Sequence, residues 1–313
     1  MGYRDRLPQL DGGLFITDGG METTLIFHDG LELPSFAAFD LLKEKSGTDA
    51  IRRYFKPYVA IAREYGVGLI LDSPTWRANP DWGEKLGYTG AGLDQANRKG
   101  VAIIEEIRSA NQEGSAPIVL SGCVGPRGDG YRPTELMTAA EAEQYHEVQI
   151  ATLSETSADM VSALTIPYAE EAVGIARASR RIGMPVVVSF TVETDGRLPS
   201  GQRLKDAIAQ VDAETDGAPS YFMINCAHPT HFAPVLEDGE QWVDRIRGLR
   251  ANASTKSHAE LDEATELDAG DPVELGAQYR ALRPHLRRAN VIGGCCGTDQ
   301  RHVAEVCRAW RDR

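Results

Sequence analysis

Eight short, β-branched, nearly continuous apolar runs recur along this chain, separated by longer stretches with helical periodicity. They are 14–17 (LFIT), 68–72 (GLILD), 117–122 (PIVLSG), 159–164 (DMVSAL), 185–190 (PVVVSF), 221–226 (YFMINC), 246–251 (IRGLRA) and 290–295 (NVIGGC). Runs of this length without strict alternation are what parallel strands buried on both faces require. The seventh is the weakest, because it carries Arg247 and Arg250. Between the runs, helices are expected near 48–65, 91–113, 138–156, 168–182, 203–214, 231–244, 272–288 and 299–311. Thr48 is the expected N-cap of the first, and Gly66 follows its last turn. Thr138 and Glu141 have the spacing of a capping box. Eight strands alternating with eight helices in 313 residues predict a single (β/α)8 TIM barrel domain spanning 1–313. The rival, a doubly wound dinucleotide-binding sheet, lacks its fingerprint, since DGGMET after the first run does not have the Gly-x-Gly-x-x-Gly spacing. The acidic stretch 254–274 is expected to be a surface loop or lid.

In such a barrel the chemistry sits at the C-terminal ends of the strands. Cys226 ends the sixth run, and Cys295 and Cys296 end the eighth. Strands two apart in a sheet are separated by about 10 Å, and inward side chains on a curved wall can close that gap. Three soft thiolates with a fourth position open describe a zinc ion that handles a substrate. Adjacent residues in a strand point to opposite sides, so the backbone must bend at Cys295–Cys296. Gly293, Gly294 and Gly297 are the expected source of that freedom. Cys123 and Cys307 are read as small buried hydrophobes, and His228 as a loop or supporting histidine rather than a ligand.

A net charge of −13 argues against nucleic acid, which wants a basic face. No apolar run of about 18 residues predicts a membrane span, and the start MGYRDRLPQL has no secretory core. Five cysteines without such a signal are expected as reduced thiols in the cytoplasm. Oligomeric state is not legible, and an oligomer is compatible with the sequence.

DGGMETTL, SGCVGP, VVVSFTVETDGRLPSG, INCAHP, RANAS and VIGGCCGT occur in that order. Together they resemble the homocysteine S-methyltransferase family over nearly the whole chain. The resemblance implies a TIM barrel whose Cys226, Cys295 and Cys296 bind zinc, and a zinc-bound thiol, homocysteine, that accepts a methyl group to give methionine. It makes Asp18 a contact to the amino acid acceptor. Gly19 and Gly20 beside it, Ser73, Thr75, Trp76 and Arg77 in LDSPTWRANPDW, Thr165 in SALTIP and Asn252 in RANAS are the other candidate substrate contacts. The chain departs from the family where Leu164 stands in place of a usual Glu that helps bind the amino group; Glu193 and Asp18 are candidates to compensate.

Three protein thiolates leave zinc a weak Lewis acid toward water and a bound sulfur nucleophilic, which favours alkyl transfer over hydrolysis. The methyl donor then has to be a sulfonium or quaternary ammonium, cations that aromatic faces hold, with Trp76 and Trp82 expected as the wall. Three other readings stand beside this one, the first a methyltransferase with a different thiol acceptor, since Leu164 replaces the usual Glu. Leu164 and Arg77 suit a zinc hydrolase or lyase acting on a small anion, and the cysteines alone suit a zinc store or thiol-oxidation sensor.

Overall fold

The computed structural model describes residues 2–111, 116–134, 136–237 and 240–311. Its centre is a closed barrel of eight parallel strands in sequence order. They are β1 (Phe15–Ile16), β2 (Gly68–Asp72), β3 (Ile118–Val124), β4 (Met160–Ile166), β5 (Val186–Phe190), β6 (Pro219–Asn225), β7 (Ile246–Ala251) and β8 (Val291–Gly294). Phe15 pairs with Gly68 on one side and Val291 on the other, which closes the cylinder. Outside it lie α1 (Lys45–Tyr65), α2 (Gly90–Asn111), α3 (Ala139–Ser154), α4 (Ala169–Ile182), α5 (Leu204–Thr215), α6 (Pro229–Leu236), α7 (Pro272–Leu282) and α8 (Gln300–Arg311). This is the TIM barrel that the alternating pattern predicts. None of the described helices is long and apolar enough to cross a membrane.

Side chains on each strand divide by parity between helix-facing and interior positions. The interior is graded from floor to mouth. Phe15, Ile70, Val119, Met160, Val187, Tyr221, Met223 and Val291 form one apolar cluster. One pleat higher come hydroxyls, with Ser121 Oγ donating to Ser162 Oγ at 2.7 Å and Ser189 Oγ to Asn225 Oδ1 at 2.6 Å. The last layer, at the C-terminal mouth, is Asp72, Cys123, Leu164, Asn225 and Arg250. Arg250, which weakens the pattern of the seventh run, is therefore an interior residue at the rim, and it is buried.

Three helix boundaries depart from the sequence expectation. α1 begins at Lys45, with Glu44 at the N-cap position but no side-chain capping bond, and the Thr48 hydroxyl donates to the Glu44 carbonyl at 2.9 Å instead of capping. The expected helix 231–244 is α6 plus a separate turn, Gln241–Arg245, with 238–239 outside the described residues. α7 ends at Leu282, two residues before Pro284, which cannot continue a helix. The α3 capping box is present as expected. The segment 254–274 is more than a loop: Ser257 and Glu260 cap a short helical turn, His258–Asp262.

A buried arginine–carboxylate pair away from the mouth joins α2 to the barrel. Asp159 Oδ2 accepts from Arg108 Nη1 at 2.7 Å and from the Leu120 amide at 2.8 Å, while Oδ1 accepts from the Tyr3 amide. Both partners of the pair are buried. Asp159→Ala is expected to cost about 3–5 kcal/mol, because it strands a buried guanidinium. Denaturant unfolding checks this, and a loss below about 1 kcal/mol, the worth of an exposed pair, contradicts it.

Candidate metal centre and substrate chambers

Two residues at the strand ends of the mouth hold a left-handed backbone that side-chain-bearing residues rarely adopt. Thr165 has φ 64° and Cys226 φ 54°. Such outliers cost of order 1–3 kcal/mol and cluster at functional sites. At Thr165 the β4–β5 register shifts between Ala163 and Ile166, a bulge that re-aims the strand end. At Cys226 the chain turns off the end of β6, so the sulfur swings toward β8.

Cys295 and Cys296 reach the same place by a different device from the one the sequence suggests. Gly297 is left-handed, with φ 78°. Gly293 and Gly294 are not; they are glycine because a Cβ there would collide with Thr17 Oγ1 and Thr298 Oγ1. The Cys295–Cys296 turn is thereby pressed against the β1 loop and bonds back to it, with the Gly294 amide donating to the Asp18 carbonyl at 2.9 Å.

The three sulfurs of Cys226, Cys295 and Cys296 lie within 4.8 Å of one another, the one cluster of metal-ligand type among the described residues. Cys226 Sγ and Cys296 Sγ are 3.9 Å apart, close to the edge of about 3.8 Å of a tetrahedron with 2.3 Å zinc–sulfur bonds. The donor set and its spacing thus fit a metal ion. Cys226 Sγ and Cys295 Sγ lie in direct contact, closer than the edge of that tetrahedron. Sulfurs that can share one ion are near enough to join when oxidised. Cys123 is buried in the wall of the mouth and Cys307 in the helical layer. His228 caps α6 and stands outside the cluster.

The sulfurs are themselves held. Asn225 Nδ2 donates to Cys295 Sγ and Thr165 Oγ1 donates to Cys226 Sγ, each at 3.8 Å. The Asn225 amide is locked in turn by the Thr165 amide at 2.9 Å and by Thr165 Oγ1 at 2.8 Å. Burial and the nearby Glu22 carboxylate push the Cys296 thiol up to about 11, against a hydrogen bond with Tyr131. A thiolate here needs a cation beside it.

Cys296 lies where two cavities meet. The inner one, about 70 Å3, is lined by all three cysteines, Asp18, Gly19, Gly20, Ser73, Trp76, Leu164 and Thr165, together with Glu22, Asp72 and Arg250. The outer one, about 380 Å3, is lined by Trp76, Arg77, Asn252 and Cys296, with Phe27, Phe36, Tyr131, Asp129, Glu266 and Asp268. Of the substrate contacts expected from sequence, Thr75 alone lines neither chamber. It is fully buried, and its hydroxyl donates to the Cys123 carbonyl at 2.7 Å. Trp82 also lies outside both, stacked against Arg77 and Lys85 at 4.0 Å each, so the aromatic wall is Trp76 with Phe36 and Tyr131 instead. Arg77 rests on both tryptophans and donates to the Ser35 carbonyl. Glu193 lines neither chamber.

Sequence reasoning missed Arg250, Asp72, Glu22, Asn225 and Tyr131. Arg250 bridges Asp18 Oδ1, at 2.5 Å, and Asp72 Oδ2. Burial opposes its charge, and the two carboxylates outweigh that and keep it protonated. Burial pushes the Glu22 carboxyl up to about 7. The signals were present: a charged residue closing an apolar run at Asp72, and the interior parity of position 250.

Residues 15–310 match the homocysteine S-methyltransferase family. Homocysteine S-methyltransferase 4 of Zea mays is 24% identical over 323 residues, covering 96% of this chain and 90% of that protein. Two crystal forms of the homocysteine methyltransferase MmuM from Escherichia coli share the fold at 20% identity and a TM-score of 0.74. The metallated form covers 96% of this chain and 98% of its own, the oxidized form 96% and 97%.

The outer wall carries a pH-sensitive stack. His258 lies on the Tyr131 ring at 4.2 Å, its Nε2–H donates to the Val192 carbonyl at 3.2 Å, and burial pushes its imidazole down to about 4. Between about pH 4 and pH 6.5 the unfolded chain binds more protons at this histidine than the folded one does. Its contribution to stability is complete above that window and is lost as pH falls through it. The difference in unfolding free energy between wild type and His258→Gln is therefore expected to shrink from pH 6.5 to pH 4, and a pH-independent difference contradicts this.

Proposed function

The chain belongs to the homocysteine S-methyltransferase family, and from that premise we propose that it moves a methyl group from a cationic donor onto the thiol of homocysteine at a zinc site, giving methionine. Cys226, Cys295 and Cys296 would hold the zinc. When bound, the ion lets the acceptor sulfur exist as a nucleophilic thiolate at neutral pH. The observation that carries the reading is the place of Cys296, on the wall of both chambers at once. An acceptor sulfur brought to the cysteines from the inner chamber faces a donor in the outer one, and alignment of the two reactants is the main thing a direct transfer needs.

The chain's own residues support this division. The outer chamber combines aromatic faces at Phe36, Trp76 and Tyr131 with the carboxylates Asp129, Glu266 and Asp268, which suits a sulfonium or quaternary ammonium methyl donor. Each aromatic face is worth about 0.5–2 kcal/mol toward such a cation. Asn225 and Thr165 fix the direction of two sulfurs, and Leu164 keeps part of the inner wall dry. The anion-binding reading loses its residue, because Arg77 is engaged with two tryptophans and a backbone carbonyl. A thiolate-rich site works in a reducing compartment, so we place the enzyme in the cytoplasm.

Reduced, zinc-supplied protein incubated with homocysteine and S-methylmethionine or a betaine is expected to bind about one zinc per chain and to form methionine. No methionine with either class of donor, from metal-loaded protein, contradicts the reading. Cys296→Ser is expected to lower zinc affinity by more than ~100-fold, beyond the loss typical of a supporting residue. Near-normal occupancy by metal analysis removes Cys296 from the ligand set.

A further inference from the structure

The inner chamber holds more carboxyl groups than its own cation can pair. Asp18, Glu22 and Asp72 all line it, and the one cation among its lining residues is Arg250. The guanidinium is spent within the chain, on Asp18 Oδ1, on Asp72 Oδ2, and on the Gly294 and Gly19 carbonyls. Asp18 is spent as well, since its Oδ2 accepts from the Tyr54 hydroxyl at 2.9 Å. Asp72 is not. The residue is 5% exposed, and its Oδ1 has no hydrogen-bond partner among the described residues.

A buried carboxylate oxygen without a partner is costly unless something arrives to meet it. A metal ion does not suit the place. Asp18, Glu22 and Asp72 do not converge as a ligand group, and the only such cluster among the described residues is the three cysteines. An ammonium group suits it better, because its three N–H donors are satisfied by two carboxylates at hydrogen-bond distance and need no third ligand atom.

We propose that Asp72 Oδ1 and the Glu22 carboxylate together receive the ammonium group of the amino acid acceptor, and so select an amino thiol over a simple thiol. The assignment rests on the thiol-acceptor reading above and deepens it. Asp18, the acid that resemblance singles out, becomes a positioning residue that holds Arg250 and through it Asp72. Leu164, on β4 two strands round from Asp72, supplies only apolar surface to the chamber.

The test compares homocysteine with 4-mercaptobutanoate, the same thiol without its amino group, by calorimetry on zinc-loaded enzyme. Wild type is expected to prefer homocysteine by about tenfold or more, the discrimination of one charge-assisted hydrogen bond. Glu22→Gln and Asp72→Asn are each expected to erase most of that preference, by weakening homocysteine binding far more than 4-mercaptobutanoate binding. Asp72→Asn touches the Arg250 clamp, so Glu22→Gln, at a half-buried position, carries the test if Asp72→Asn does not fold. Leu164→Glu is expected not to improve homocysteine affinity, because the ammonium already has its carboxylates. Equal binding of the two thiols by wild type, an unchanged preference in folded Glu22→Gln, or a large gain in Leu164→Glu overturns the proposal while leaving the thiol reading intact. Failure of wild type to bind either thiol overturns both.

Discussion

Three sulfurs from two strands that are not neighbours have to meet at one point, and neighbouring residues on a strand point apart. The mouth of this barrel is arranged around that constraint. On the β6 side it is met by a left-handed cysteine, and on the β8 side by a tight turn that two glycines allow to press against the β1 loop. Each device has a cost in backbone strain or lost side-chain packing. Their shared result is a set of sulfurs close enough to share one ion.

Around the sulfurs, charge is divided between two chambers. The inner chamber is small and anionic, with Arg250 clamped between two aspartates at its edge. That clamp spans β1, β2 and β7, so it ties the rim together as well as setting the local field. A buried guanidinium with two carboxylates is stable only if its geometry is satisfied throughout, and Arg250 finds two backbone carbonyls besides. The outer chamber is larger and aromatic, closed on one side by the Tyr131–His258 stack. The two chambers share a wall of Thr23, Phe36, Trp76, Tyr131 and Cys296, so acceptor and donor would meet across it with Cys296 at the junction.

The fold was legible almost strand by strand, because continuous β-branched runs between amphipathic helices leave few alternatives. Helix ends were less so: Thr48 has a cap residue's chemistry, yet its hydroxyl is bonded one turn back to Glu44. The cysteines were legible because their spacing fell at strand ends. The charged triad was not, since Arg250 read as a flaw in its strand. Only its parity inside a closed barrel, with Asp18 just past β1 and Asp72 at the end of β2, turns that flaw into a clamp. Trp82 failed for a related reason: proximity in sequence to the mouth says nothing about which way a ring faces, and two cations beside it hold it away.

X-ray absorption at the zinc edge, recorded on reduced, zinc-loaded protein before and after homocysteine is added, tests the central claim most directly. The account predicts three sulfurs at about 2.3 Å with one lighter ligand, changing to four sulfurs when the thiol binds. Fewer than three sulfurs at the start, or a coordination shell unchanged by saturating homocysteine, would contradict it.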